Sequence, residues 1–178
     1  MADICKKLCE LGADKAAVVP VEKIVFDASL ITLCSMNSCG NYGKCWTCPP
    51  LVGETEKLIE KAKAYSKAAV FQKVYYLEDS FDIEGMDRGK QEFDLLSRKI
   101  ASMVRAEIPG VLFLGAGGCR ICPVCAAVSG QPCRFPDEAF ASLEAYGIQV
   151  SELAAAAGMK YINGQNTVTY FGAVFYRE

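Results

Sequence analysis

Histidine is missing altogether from the 178 residues. Its absence excludes Ser-His-Asp and Cys-His catalysis, Cys2His2 zinc fingers, His-ligated haem, Rieske clusters and helix-borne HExxH zinc sites. An excess of one charge sign is missing too. Nineteen Lys and Arg against 21 Asp and Glu leave a formal net charge of −2. The densest basic stretch, Lys57, Lys61, Lys63 and Lys67, is interleaved with Glu54, Glu56 and Glu60 and reads as a solvated helix face. Without a basic stripe, nucleic acid is not an expected partner. Nor is there a long apolar run. The most apolar stretch, Ala16 to Leu33, is broken by Glu22, Lys23 and Asp27, so no membrane span is expected. Residues Met1 to Lys7 lack a basic-then-apolar leader, and a cytoplasmic location is the expectation.

What the chain has instead is cysteine: ten residues, far above ordinary usage. In a reducing compartment they are thiols or metal ligands rather than a disulfide framework. A chain of this length buries enough surface to hold a core without staples, so the cysteines need a chemical reason.

The pattern predicts an α/β fold, a single compact domain over residues 1–178 with a mixed β-sheet, flanking helices and two cysteine-rich metal-binding loops. Helices are expected over 2–13, 54–68, 87–107, 137–146 and 152–157, the last capped by Ser151. Strands are expected over 18–26, interrupted by Pro20, and over 69–77 and 111–114. Residues 160–162 and 167–176 suggest a hairpin around Asn163-Gly164. The irregular stretches 34–50 and 115–136 carry eight of the ten cysteines.

The second loop reads Cys119-x2-Cys122-x2-Cys125-x7-Cys133. Three cysteines at such intervals with a fourth nearby let a backbone wrap one [4Fe–4S] cube, each thiolate meeting a different iron. A zinc site normally takes two well-separated Cys-x2-Cys turns, so this triple run favours iron–sulfur, with zinc as the alternative. The first loop reads Cys34-x4-Cys39-x5-Cys45-x2-Cys48-Pro-Pro. Its four thiols suggest a second metal site, although Cys45-Trp-Thr-Cys48 alone would pass for a redox dithiol. Cys5 and Cys9 share a helical face and read as small core residues or as a spare ligand. The radical Cys-x3-Cys-x2-Cys spacing is absent.

Around these loops, Lys44, Arg120 and Arg134 are cations placed to offset an anionic cluster, or simply solvated. Gly115, Gly117 and Gly118 give slack for close backbone approach rather than a GxGxxG nucleotide turn. Tyr42 and Trp46 are candidates to shield a cluster. Glu144 and Tyr146 are candidate acid–base groups, with a solvated glutamate and a core tyrosine as the plainer reading.

Three segments together resemble a family labelled predicted metal-binding protein, found mainly in anaerobic bacteria and archaea. They are Cys39-Gly-Asn-Tyr42-Gly43-Lys44-x3-Cys48-Pro-Pro, the run Cys119 to Pro136, and Ser142-Leu-Glu144-Ala-Tyr146-Gly-Ile-Gln-Val. The resemblance implies metal binding in a cytoplasmic setting and gives no reaction. It implies ligand roles for Cys34, Cys39, Cys48, Cys119, Cys122, Cys125 and Cys133. Cys45 is added on spacing alone. The resulting expectation is two [4Fe–4S] clusters and electron transfer to or from a redox partner protein. The alternatives are an enzyme with an open iron near Tyr42, Lys44 and Glu144, and a structural zinc-binding interaction module.

Overall fold

The computed structural model describes residues 4–177. Four strands form one sheet: β1 (Lys15–Pro20), β2 (Lys67–Tyr76), β3 (Leu112–Leu114) and β4 (Thr167–Tyr176), in the order β1-β2-β4-β3. Every ladder is antiparallel, with Lys15 opposite Gln72, Lys67 opposite Tyr176 and Phe113 opposite Val174. The expected mixture of directions is met only by one isolated parallel bridge, Gly115 to Ser142. Among the described residues no helix is long and apolar enough to cross a membrane.

Side-chain alternation along β2 and β4 gives the sheet two buried faces. On one face, Ala69, Phe71, Phe113 and Val174 pack against α1 (Ile4–Leu11) and α4 (Ile83–Glu107), which contribute Leu8, Phe93, Ile100 and Val104. On the other, Val70, Phe171, Ala173 and Phe175 pack against α3 (Thr55–Lys63), α5 (Val150–Ala156) and a 3-10 turn over Glu144–Tyr146. A short helix, α2 (Ile31–Ser35), stands on this second side and carries Cys34.

Several boundaries differ from expectation, each for a local reason. The first strand begins at Lys15 and ends at Pro20, which has no N–H to extend the ladder; a 3-10 turn over Val21–Lys23 follows. The first helix covers Ile4–Leu11, and residues 2 and 3 of its expected span lie outside the described ones. Helix α4 starts earlier than Asp87, because Asp82 caps it by accepting from the Gly85 amide at 2.7 Å. Helix α5 starts at Val150 after Gln149, without a side-chain cap from Ser151.

Residues 137–146 are not a helix. Arg105 takes the carbonyls of Asp137 and Ala139, and Gly115 exchanges hydrogen bonds with Ala141 and Leu143, so the segment passes through a turn at 136–138 and a non-helical stretch before its 3-10 turn. The expected hairpin is also absent. The Asn163 side-chain amide binds the Lys160 carbonyl and the Thr169 hydroxyl, both at 2.9 Å, which holds 160–163 in a turn, while β4 pairs with β2 and β3.

Candidate metal centre

The two cysteine-rich loops lie side by side. The Cys119 amide donates to the Thr47 hydroxyl at 3.3 Å, and the Trp46 indole N–H donates to the Gln131 carbonyl at 2.9 Å. Gly118 lies hard against the first loop: a Cβ there would sit 2.8 Å from the Asn41 amide nitrogen and 3.3 Å from Cys48 Sγ. Close approach is therefore what this glycine provides. No disulfide links the eight loop cysteines.

Cys119, Cys122, Cys125 and Cys133 all line one small hollow, with Ile121, Ala126, Arg134 and Phe135. The Arg134 guanidinium also donates to the Val124 carbonyl at 3.0 Å, which ties the loop to itself. Burial raises the Cys119 thiol above its ordinary value, with Cys45, Cys133 and Cys125 adding repulsion. A thiol held up in this way is one that a cation would deprotonate on binding.

The first loop divides. Cys34, Cys39 and Cys48 line a second pocket of about 270 Å³. Across from them are Gly117, Gly118, Ser142 and Glu144, and Tyr42 forms part of the wall. Cys34 is placed by α2, which follows an Asp27 cap on Ser29 at 2.8 Å. Cys39 follows a left-handed Asn37, whose side chain accepts from the Tyr42 amide at 3.0 Å. Burial raises the Cys34 thiol, and the charges of Glu144 and Cys39 raise it further.

Cys45 does not line this pocket. It is 2% exposed, and its sulfur lies 3.3 Å from the Thr47 hydroxyl. A hydrogen bond between Cys48 and Cys45 lowers the Cys45 thiol and raises that of Cys48, so the two titrate as a pair. Cys45 thus stands between the two groups of thiols, touching Cys48 on one side and facing the Cys119 backbone on the other. Cys5 packs against the core on the α1 and α4 face, across the sheet, and Cys9 is exposed.

Of the flanking groups, Tyr42 and Glu144 reach the first pocket, whereas Lys44 is exposed and lines no pocket with the thiols. Arg120 pairs with Asp87 at 2.6 Å. Glu144 is solvent-exposed and lines the pocket. Desolvation by the protein packed around it raises its carboxyl, against hydrogen bonds from its own backbone and Ser142 and the more distant charge of Lys90. Tyr146, by contrast, is a core residue at 4% exposure.

Sequence reasoning missed two contributors. Thr47 holds the loops together, and nothing in Cys-Trp-Thr-Cys distinguishes it. Lys90 is buried in an ion pair with Asp94 on α4, and its Cε lies 3.1 Å from where a Gly117 Cβ would be. Burial lowers the Lys90 ammonium from its ordinary value.

Among the described residues, no three Cys, Asp or Glu groups converge closely enough to hold a single metal ion. The donor chemistry nevertheless fits a thiophilic centre, with four thiols around one hollow and three around the adjoining pocket. Residues 17–176 match the family described as Predicted metal-binding protein (DUF2284), and the chain belongs to that family. Neither a curated protein nor a solved structure matches the chain.

Proposed function

We propose that this metal-binding protein carries two [4Fe–4S] centres and passes electrons to or from a partner protein. The observation that carries the reading is the grouping of Cys119, Cys122, Cys125 and Cys133 around one hollow. A zinc ion would need its sulfurs at about 2.3 Å from a common centre. Ligands of a cube are instead spread over several irons. A thiolate-bound cube supplies reversible one-electron transfer at a potential set by burial and hydrogen bonding.

The chain's own residues suit that use. Cys34, Cys39 and Cys48 provide thiolates for the first centre, and the four cysteines of 119–133 serve the second. Thr47, bonded to the Cys119 amide and beside Cys45, keeps the two groups adjacent. Lys90, Arg120 and Arg134 place positive charge near the thiolates. A second reading, an enzyme with an incompletely thiolate-bound first centre, is favoured by one observation: the first pocket offers three thiols, with Tyr42 and Glu144 in its walls.

Reversible reduction tests the proposal. Protein purified without oxygen is expected to be brown, to lose absorbance near ~400 nm with dithionite, and to regain it on mild reoxidation. Cys122→Ser should remove about half of that absorbance. Colourless protein, or a bleaching that no oxidant reverses, contradicts electron transfer.

A further inference from the structure

The first pocket brings together donors from segments about a hundred residues apart. Three are the thiols of Cys34, Cys39 and Cys48; the fourth strong donor in its walls is the Glu144 carboxylate. The remaining thiols are placed elsewhere. Cys45 lies beyond Cys48 against Thr47, the cysteines of 119–133 line their own hollow, and Cys5 packs across the sheet.

Glu144 is held where it is by its neighbours. Leu143, Ala145 and Tyr146 are all buried in the core, so the 3-10 turn that carries Glu144 cannot drift. The Ser142 hydroxyl accepts from the Ala145 amide at 3.2 Å and braces the same turn, and Lys90, paired with Asp94, attracts Glu144 from a distance. Glu144 itself is solvent-exposed and lines the same pocket as the three thiols, so its carboxylate is open to whatever occupies that pocket. Its charge also falls on Cys34, which places it close to the thiols. A metal among those thiols would lie within the pocket that Glu144 also lines.

We infer that Glu144 is the fourth donor of the first centre, its carboxylate taking the position that Cys34, Cys39 and Cys48 leave unfilled. The inference rests on the cluster reading above. A carboxylate is a harder donor than a thiolate and binds iron–sulfur centres less firmly. The position held by Glu144 is therefore the exchangeable one, and it faces a pocket with room for a small molecule. A small carboxylate that enters the pocket would compete with Glu144 for it.

The test compares wild type, Glu144→Gln and Glu144→Cys, each purified without oxygen and assayed for iron and sulfide before and after mild ferricyanide oxidation. Spectra of the reduced proteins are recorded alongside. Wild type is expected to release about one iron in eight on oxidation while keeping its sulfide. Glu144→Gln should release that iron faster, and Glu144→Cys should retain it. Both substitutions should change the reduced-state paramagnetic spectrum of one centre only. Identical iron release and identical spectra in all three proteins overturn the role of Glu144 while leaving the two centres standing. Wild-type protein without sulfide overturns the cluster reading, and the role of Glu144 with it.

Discussion

Cys45 is the residue at which thiol chemistry and packing meet. At 2% exposure it is the most buried of the loop cysteines, and its partners are Thr47, Cys48 and the backbone of Cys119. A thiol so placed shapes the junction between the two groups of thiols rather than facing the first pocket. Cys45→Ala is accordingly expected to keep the iron content of wild type. It should lower stability by about 0.5–1.5 kcal/mol through the lost hydrogen bond. Cys48→Ala should remove the iron of the first centre. Iron analysis beside urea denaturation checks both. Loss of iron from Cys45→Ala would make Cys45 a ligand, as its spacing from Cys48 suggests. At this scale the sequence was only partly readable. The regular run 119–133 made the grouping of its four cysteines legible, because a short loop brings near neighbours to one hollow. The wall formed by Glu144 depends on a contact across the fold, and spacing carries no trace of it.

Among the elements, α4 is the one that braces the second loop. It carries Lys90 beneath Gly117 and Asp87 against Arg120, and it packs Phe93 and Ile100 under the sheet. Its periodic apolar face made it visible in the sequence, but its true start was not, since the cap is Asp82 and an acidic loop offers several candidates. Asp82 accepts from Gly85 and Glu78 amides, and these bonds hold its carboxyl below the ordinary value. A depressed folded-state value means stability that is present above the unfolded carboxylate range and lost as pH falls through the folded value. Asp82→Asn should therefore flatten the acid limb of the stability profile relative to wild type, with little change at neutral pH. Thermal melts between pH 7 and pH 3 on metal-free protein measure this; parallel profiles would exclude the cap as a source of acid sensitivity. The misread segment 137–146 teaches the complementary lesson. Its helical pattern is real, yet Arg105 and Gly115 take the backbone groups a helix would need.

At the scale of the molecule, a four-stranded antiparallel sheet buried on both faces forms a stable base for two loops that contain few large core side chains. The alternation of β2 and β4 was legible because each residue commits to one face. The strand order was not, because pairing of β4 with both β2 and β3 joins segments far apart in sequence. The loops meet at Thr47, Trp46 and Gly118, so the two groups of thiols form one continuous thiol-rich region. The proposed occupants of this region are two iron–sulfur cubes. Iron, acid-labile sulfide and zinc per chain, determined together on protein purified without oxygen, test this proposal most directly. Two cubes require about eight iron and eight sulfide with no stoichiometric zinc. One or two zinc ions per chain with no sulfide would contradict it.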